Sequence, residues 1–386
     1  MRVLAVLRDF PSQTNPQAGV FMRRRLEAMM RLGHTVEVVR IVPLAPALGS
    51  KWSAYRAVPD REIVGDIPVH AVRAIMPPRL IGMETVAAQV HRRLAAHIDR
   101  FRPDVLHASF VIPCGHAAIR HSVPVVVSAH GVDTYGWPFA RAGLQRAARE
   151  TLRKATRLSA VSGFLGNIMR TLCGRDVRVI WNGADERTFF PRAAQPSRDR
   201  LAIPEDRFTV VYAGNLLRAK GLFELIDAAA MISEYRPLVC LAGEGPDKEL
   251  LQQRAAQRNV DVRFLGRREH AEIADVLAAA DVVTLPSYAE GLPNIVCEAM
   301  LSGRAVVAST AGGIPEIVDD GATGLLVAPK DAPALASALS RLAADANLRS
   351  RLAAQAHTFA ARRLTWEAAS REYEGLYHET IEAFAA

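Results

Sequence analysis

The sequence has little of what most nucleic-acid and zinc sites require. Aromatic residues make up 6% of the 386 residues, and no basic run interleaves with them as a single-strand binding platform would need. The cysteines form no C-x-x-C pair and no cysteine–histidine cluster at zinc spacing; they are Cys114, Cys173, Cys240 and Cys297. We therefore expect a reduced, cytoplasmic protein with no structural zinc and no nucleic-acid partner.

Long apolar runs are also missing. The sequence has no uninterrupted stretch of about 18 apolar residues, which a transmembrane helix would need. Its first residues, MRVLAVLRDF, begin like a signal peptide, but Arg8 and Asp9 end the apolar run and no small-residue cleavage site follows. The sequence thus predicts a chain that neither spans a membrane nor is exported.

An excess of basic residues limits the choice of partner. The formal net charge of +8 suits an anionic one, either a phosphorylated substrate or an acidic membrane surface. Peripheral contact with an anionic membrane is favoured by arginines on or beside candidate amphipathic segments: Arg23, Arg24, Arg25, Arg79, Arg92, Arg93, Arg100 and Arg102. Solvated helix faces would account for the same arginines, so both interpretations stay open.

Strands and helices alternate along the chain, which is typical of parallel sheets in α/β domains. Because 386 residues exceed what one hydrophobic core usually supports, two domains are expected. A polar stretch with several prolines separates two alternating runs and is interpreted as a linker. The predicted parts are a first domain at 1–188, the linker at 189–206, a second domain at 207–365 and a C-terminal helix at 366–386 that returns to the first domain.

The stretch 286–300, PSYAEGLPNIVCEAM, places two carboxylates around one helix start. The pattern predicts a strand at 281–285, a loop at 286–293 that carries Glu290, and a helix at 294–301 that carries Glu298. Free N–H groups of the first helical turn can hold an anion while the carboxylates bind neighbouring hydroxyls, which suits a phosphorylated sugar. Carboxylates near a helix start also favour the helix dipole, so the pattern alone leaves a purely structural role open.

A glycine turn after the predicted strand 209–213 carries basic side chains that could bind a diphosphate. Arg218 and Lys220 lie between Gly214 and the start of the next helix, and exposed surface cations are the alternative interpretation. The later Gly243-Glu244-Gly245 sequence lacks the third glycine of a dinucleotide fingerprint. We therefore expect neither a nicotinamide nor a flavin cofactor.

Three candidate positions in the first domain lie at or just after the ends of strands. In α/β sheets, ligands bind at this edge. Gly19 precedes a helix and lets a phosphate or backbone come close. His107 lies in a strand, and His130 leaves the next strand three residues before Asp133. An imidazole at His130 could hold a substrate hydroxyl, with Asp133 orienting the ring or binding the acceptor, although a satisfied loop histidine is the alternative.

Read together, these motifs resemble family 4 of the glycosyltransferases, which are retaining enzymes. The resemblance covers nearly the whole chain and rests on five landmarks in the right order: His130-Gly131-x-Asp133, Asn182-Gly183-x-Asp185, Lys220-Gly221, the E-x7-E motif from Glu290 to Glu298, and Gly312-Gly313-x-Pro-Glu316. The fold it implies is GT-B, in which two Rossmann-like domains face each other across a cleft. The first domain would bind the acceptor, the second would bind the nucleotide sugar, and the C-terminal helix would cross back to the first.

The resemblance also implies roles for single residues. Glu290 would hold hydroxyls of the donor sugar, Glu298 the ribose, and His130 the transferred sugar near the acceptor. The diphosphate would be bound by Lys220 and by the backbone around Gly291, Leu292, Pro293, Asn294 and Ile295, with Gly19 facing it from the first domain. Asn215 stands where the family often has arginine, which makes Arg218 the candidate for the missing charge. The catalytic residues implied are His130, Lys220 and Glu290, with Asp133 as an acceptor contact.

The implied reaction uses no metal and no cofactor, since the nucleotide-diphosphate sugar is a substrate. No two aspartates stand two residues apart, so the D-x-D metal clamp of the other main glycosyltransferase fold is missing. The N-terminal pattern is most similar to bacterial enzymes of surface polysaccharide synthesis, which implies a glycan or lipid-linked acceptor. A nucleotide-sugar epimerase of the same fold and a catalytically silent nucleotide-sugar-binding subunit are the alternatives.

Overall fold

A computed structural model describes residues 1–44, 53–75, 83–131, 134, 136 and 141–386. These residues form two compact units, one of Met1–Trp181 with Trp366–Ala386 and one of Asn182–Thr365. Each unit is built around one sheet of mainly parallel strands. Within the described ranges, no helix is both long and apolar enough to cross a membrane.

The first unit has an eight-stranded sheet. Its strands are β1 (Arg2–Leu7), β2 (Thr35–Pro43), β3 (Arg61–Val64), β4 (Ile67–Ala74), β5 (Val105–Ser109), β6 (Val125–Ala129), β7 (Arg157–Ala160) and β8 (Arg178–Val179). Their order is β3-β4-β2-β1-β5-β6-β7-β8, and only β3 and β4 pair in antiparallel fashion. The central strands β5 and β6 are buried at every residue, as expected for strands covered on both faces.

Helices cover this sheet and connect its strands. They are α1 (Val20–Arg31), α2 (Ser53–Arg56), α3 (Met83–Phe101), α4 (His116–Ala118), α5 (Ala142–Lys154) and α6 (Gly163–Cys173), with a π-turn at Val111–Gly115. A last helix, Trp366–Ala385, follows the whole second unit in the sequence and is α14 in the numbering used below.

This C-terminal helix packs into the core of the first unit. Trp366, Tyr373 and Tyr377 are buried in the same cluster as residues of β1 and α1. Polar contacts add to this packing, because the Ser370 hydroxyl donates to the Arg25 carbonyl (3.3 Å) and the His34 Nε2 lies 2.9 Å from the Glu374 Oε1. The first unit is therefore assembled from both ends of the chain.

The second unit has a six-stranded, fully parallel sheet. Its strands are β9 (Thr209–Ala213), β10 (Leu238–Ala242), β11 (Asp261–Gly266), β12 (Val282–Leu285), β13 (Ala305–Ser309) and β14 (Leu325–Val327), in the order β11-β10-β9-β12-β13-β14. The helices are α7 (Gln195–Arg200), α8 (Leu222–Met231), α9 (Lys248–Arg258), α10 (His270–Ala278), α11 (Asn294–Leu301), α12 (Ala332–Ala344) and α13 (Ala346–Arg363). Single 3₁₀ turns occur at Arg218–Lys220, Ser233–Tyr235 and Ile314–Glu316.

Residues 189–206, interpreted from their polarity as a linker, belong to the second unit and contain α7. The reason is Arg198, which is only 6% exposed although it lies in a polar stretch. Its guanidinium donates to the Asp281 Oδ2 (2.7 Å) and to the carbonyl of Ala279 (3.1 Å). A charge-assisted bond of this kind fixes the segment beside the start of β12.

The arginines that favoured contact with an anionic membrane differ in exposure. Arg25 is 2% exposed and so cannot belong to any outer surface. Arg23 and Arg24 both pair with Glu27, at 2.6 and 3.2 Å. Arg92, Arg93 and Arg102 are exposed, Arg100 is exposed and pairs with Glu37, and Arg79 lies outside the described residues.

Half-buried histidines of the first unit make its stability depend on pH. Burial, followed by nearby cationic groups, lowers the pKa of His97 and His121 to about 4. The unfolded chain binds these protons below about pH 6.5 while the folded protein does not, so stability is complete above that pH and falls as the pH drops.

We expect the free energy of unfolding to fall between about pH 7.5 and about pH 5.5, by up to about 1.4 kcal/mol per pH unit and histidine below the unfolded pKa. Denaturant titrations at the two pH values measure the difference. His121→Asn should make the fall smaller, because it removes one of these groups. Equal stability at both pH values would contradict this assignment.

Candidate active site

Three neighbouring strands of the second unit, β9, β12 and β13, end at the same edge of the sheet. The loops after them carry the residues that the sequence singles out: the turn 214–221, the loop 286–293 and the glycine turn at 312–316. Because parallel strands present their carboxyl ends together, residues far apart in the sequence meet here.

Gly221 allows the first two of these loops to touch. Its φ is +70°, and a Cβ added to it would lie 2.0 Å from the carbonyl oxygen of Pro286. A second tie follows next to it, where the Tyr288 N–H donates to the Ala219 carbonyl (2.8 Å). Only glycine combines this left-handed backbone with so close an approach, and the contact brings Lys220 to the loop of Glu290.

The Lys220 Nζ donates to the Glu290 Oε1 at 2.6 Å. The two side chains are 26% and 12% exposed, so the pair is half-buried but open on one side. The structure thus joins two residues that are seventy positions apart and that the sequence predicts separately. An ammonium and a carboxylate side by side can serve a phosphate and a sugar hydroxyl at one place.

A second glycine fixes the other side of this loop. Gly312 has a φ of +57°, and a Cβ added to it would lie 1.8 Å from the carbonyl oxygen of Glu290. The N–H of Gly313 donates to the Gly291 carbonyl at 3.1 Å. The backbone of Glu290 is therefore held between the loops that follow β9 and β13.

The helix α11 begins beside Glu290, as predicted, with Pro293 as its N-cap. Among the described residues no side chain caps this end, so the first-turn N–H groups of Asn294 and Ile295 remain available as donors. The Asn294 side chain is occupied, because its Oδ1 accepts from the Asn182 Nδ2 at 2.9 Å. Gly291, Leu292 and Pro293 are buried beneath this start. The end of α11 is thus a candidate anion site made of backbone donors.

Glu298 has a partner that the sequence analysis missed. The His270 Nε2 lies 3.2 Å from the Glu298 Oε1, and the His270 ring meets the Phe189 ring edge-on at 4.9 Å. His270 opens α10, twenty-eight residues before Glu298. Its position four residues after the end of β11 was the available signal, since β11 ends at the same sheet edge.

Asn215 and Arg218, in the turn 214–221, have other contacts. Asn215 is exposed, and its carbonyl accepts a hydrogen bond from the Tyr212 hydroxyl at 2.8 Å. The Arg218 guanidinium stacks over the Phe223 ring, 4.3 Å from its centroid, and lines a cavity of about 420 Å³ with Asp227 and Arg254. The structure therefore brings Lys220 to Glu290, while Arg218 lies over α8.

Gly19 and His130 lie at the carboxyl edge of the sheet in the first unit. Gly19 starts α1 with a φ of +61°, and a Cβ there would lie 2.2 Å from the Asp9 carbonyl oxygen. The His130 ring packs against the rings of Phe21 (5.8 Å) and Phe110 (5.5 Å). Asp133, the expected acceptor contact, lies outside the described residues.

Burial and a nearby buried arginine lower the pKa of His130. Arg25 donates to the Ser109 hydroxyl (3.3 Å) and lies over the Tyr373 ring of the C-terminal helix, at 4.8 Å. Burial, and then the charge of Arg25, lowers the pKa of His130 well below its ordinary value. The imidazole is therefore neutral near pH 7, with one nitrogen able to donate and the other able to accept.

His107 is a core residue and does not reach this edge. It is fully buried, its Nε2 lies 2.6 Å from the Ser128 hydroxyl, and its Nδ1 lies 2.5 Å from the Tyr377 hydroxyl. Both ring nitrogens are thus satisfied within the first unit, and its role is structural.

Comparison with known proteins identifies the family of the chain. The family described as "Glycosyl transferases group 1" matches residues 194–359, and the one described as "Glycosyltransferase Family 4" matches residues 18–188. A Bacillus subtilis protein named as a teichuronic acid biosynthesis glycosyltransferase is 30% identical over 88% of this chain and 89% of its own length. A D-inositol 3-phosphate glycosyltransferase of Stackebrandtia nassauensis is 29% identical over 85% of each chain.

Solved structures share the fold. Sucrose-phosphate synthase from Thermosynechococcus elongatus matches with a TM-score of 0.81 at 22% identity, over 99% of this chain and 100% of that one. Anabaena HepE in complex with UDP matches with a TM-score of 0.77 at 22% identity, over 98% and 100% of the two chains. The predicted fold class, GT-B with two parallel-sheet domains, is confirmed. On this sequence and fold evidence, the chain belongs to family 4 of the glycosyltransferases.

Proposed function

We propose that the protein is a retaining, metal-independent glycosyltransferase that moves a sugar from a nucleotide-diphosphate sugar to a glycan or lipid-linked acceptor in surface polysaccharide synthesis. The observation that carries the proposal is the Lys220–Glu290 pair beside the start of α11. It places a cation, a carboxylate and free backbone donors at one sheet edge. A sugar joined to a diphosphate needs this combination.

The second unit would bind the donor. Lys220 and the N–H groups of Asn294 and Ile295 stabilise the charge that develops on the leaving diphosphate. Glu290 then accepts from hydroxyls of the transferred sugar, and Glu298 from the ribose. Asn215 and Arg218 are proposed as weaker donor contacts at the turn. Anabaena HepE, solved with UDP and with UDP-glucose, supports a nucleotide sugar as the donor class.

The first unit would supply His130 and Gly19. A neutral imidazole can donate to one sugar hydroxyl without competing with Lys220 for the diphosphate, so His130 positions the sugar near the acceptor. Gly19 would let the diphosphate approach the start of α1 closely. We propose attack from the face of the leaving group, with the leaving phosphate accepting the acceptor's proton. Asp133 stays a proposed acceptor contact.

Substitutions at the two carboxylates and at Lys220 test these roles. Lys220→Met should lower kcat by about 10²- to 10³-fold, the range for a lost transition-state donor. Glu290→Ala should also lower kcat, whereas Glu298→Ala should chiefly raise the donor KM. The assay follows transfer from the nucleotide sugar that gives the largest thermal stabilisation, with product analysis to detect an epimerised sugar formed without acceptor.

Lys248→Met is the matched control, because it removes a lysine that pairs with Glu244 at 3.1 Å in the same unit. Its turnover should equal that of the wild type. Undiminished turnover of Lys220→Met, or a larger kcat loss for Glu298→Ala than for Glu290→Ala, would overturn the assigned roles. Formation of an epimerised sugar without acceptor would support the epimerase instead.

Metal independence is tested by removing divalent ions. We expect full turnover after exhaustive chelation, because Lys220 and the helix start carry the charge that a metal would otherwise carry. Rates with and without added Mn²⁺ or Mg²⁺ are compared after chelator treatment. Strict dependence on either ion would rule out this part of the proposal.

We also propose that the protein acts at the inner, cytoplasmic face of the cell membrane, through the exposed arginines of α3. Arg92 and Arg93 are adjacent and exposed on that helix. Each basic residue near an anionic surface contributes about 1 kcal/mol of attraction.

The Arg92→Gln/Arg93→Gln double variant should therefore bind vesicles containing phosphatidylglycerol about 30-fold more weakly than the wild type. Vesicle flotation measures the change, with phosphatidylcholine vesicles as the uncharged reference. Arg362→Gln/Arg363→Gln removes an adjacent exposed pair of the second unit and should leave binding unchanged. Equal binding of the wild type to vesicles with and without anionic lipid would argue against the membrane proposal.

A further inference from the structure

His270 is held in a fixed orientation at the start of α10. The residue before it, Glu269, is the N-cap, and a capping box with Glu272 closes this helix end. The Glu269 N–H donates to the Glu272 Oε2 at 2.7 Å. A helix start fixed at both capping positions gives the first side chain of the helix a defined direction.

Packing fixes the ring as well as the backbone. The imidazole stands edge-on to Phe189, with the two ring planes 88° apart. Phe189 is itself 1% exposed, and its N–H donates to the Asp185 carbonyl at 2.8 Å. The ring therefore has little freedom to turn away from Glu298.

The hydrogen bond to Glu298 determines which ring nitrogen donates. A carboxylate oxygen only accepts, so the His270 Nε2 carries the hydrogen that points to the Glu298 Oε1. The other nitrogen, Nδ1, is buried and has no hydrogen-bond partner among the described residues. The ring therefore contacts Glu298 through Nε2 alone.

Glu298 keeps one oxygen for a ligand. Its side chain is 13% exposed, and the contacts of the described residues occupy only Oε1. A carboxylate held at one oxygen presents the other in a single direction, which suits the paired hydroxyls of a ribose. A freely rotating glutamate would lose more side-chain entropy on binding the same hydroxyls.

We propose that His270 is a positioning residue that orients Glu298 toward the ribose hydroxyls and so makes the site select ribonucleotides over deoxyribonucleotides. This inference rests on the proposed function, in which Glu298 binds the ribose. It adds a residue that would determine nucleotide selectivity and that lies outside the five sequence landmarks of the family. His270 itself does not touch the donor and acts through Glu298.

Nucleotide analogues that lack one hydroxyl give the direct test. Dissociation constants are measured by calorimetry for UDP, GDP and ADP, and the tightest binder is then compared with its 2′-deoxy and 3′-deoxy forms. The wild type should bind the worse deoxy analogue about 30-fold more weakly, because the half-buried carboxylate of Glu298 is left without its partner. The ratio of the two dissociation constants, deoxy analogue over parent nucleotide, should fall to about threefold or less in Glu298→Ala.

His270→Phe keeps a ring against Phe189 and removes the donor to Glu298. The ratio should fall to about tenfold or less in this variant, and His270→Gln, which retains an N–H donor, should restore part of it. In His270→Phe/Glu298→Ala the ratio should equal that of Glu298→Ala alone, since His270 acts only through the carboxylate. A merely structural histidine would weaken all nucleotides equally and leave the ratio unchanged.

His357→Phe is the control, because the His357 Nδ1 also makes a hydrogen bond, 2.9 Å from the Leu301 carbonyl, in the same unit. It should leave the ratio at the wild-type value. A full ratio in both His270→Phe and His270→Gln overturns the inference. An unchanged ratio in Glu298→Ala instead overturns the ribose contact of the proposed function, so the two failures are distinguishable.

Discussion

The close backbone contact of Gly312 with Glu290 is the constraint on which the candidate site of the second unit depends. The carbonyl oxygen of Glu290 occupies the space that a side chain at position 312 would fill, and Gly221 meets Pro286 in the same way. The loop after β12 is thus clamped by the loops on both sides. The position of the Glu290 carboxylate follows from backbone packing, and Lys220 reaches it because the same packing brings its turn alongside.

The first unit places its candidate histidine by different means. The His130 ring contacts two aromatic rings, and the charge of the buried Arg25 helps to lower its pKa. Arg25 in turn lies over the ring of Tyr373 in the C-terminal helix. His107 binds Tyr377 of the same helix. The C-terminal helix therefore supports both the core of the first unit and the electrostatic setting of His130.

Much of the fold and part of the geometry of the candidate site could be predicted from sequence, because both rest on local patterns. Alternating apolar strands and helices gave the two parallel sheets, and Pro293 marked the start of α11. The misses depend on long-range contacts. The position of His270 after a strand indicates a sheet edge but not its contact with Glu298. The polar neighbours of Arg198 suggested a linker although that residue is buried, and Arg25 resembled its two neighbouring arginines although it too is buried. Such contacts are set by which strands are neighbours in the sheet, and a single sequence does not state that order.

The route of the chain has a consequence for biosynthesis. The second unit is inserted between Trp181 and Trp366, and its first and last segments lie side by side where Ala184 bridges Thr365. All residues of that unit leave the ribosome before Tyr373 and Tyr377 do. The core of the first unit therefore cannot be completed until the final helix has been made, whereas every residue of the inserted unit is available before then.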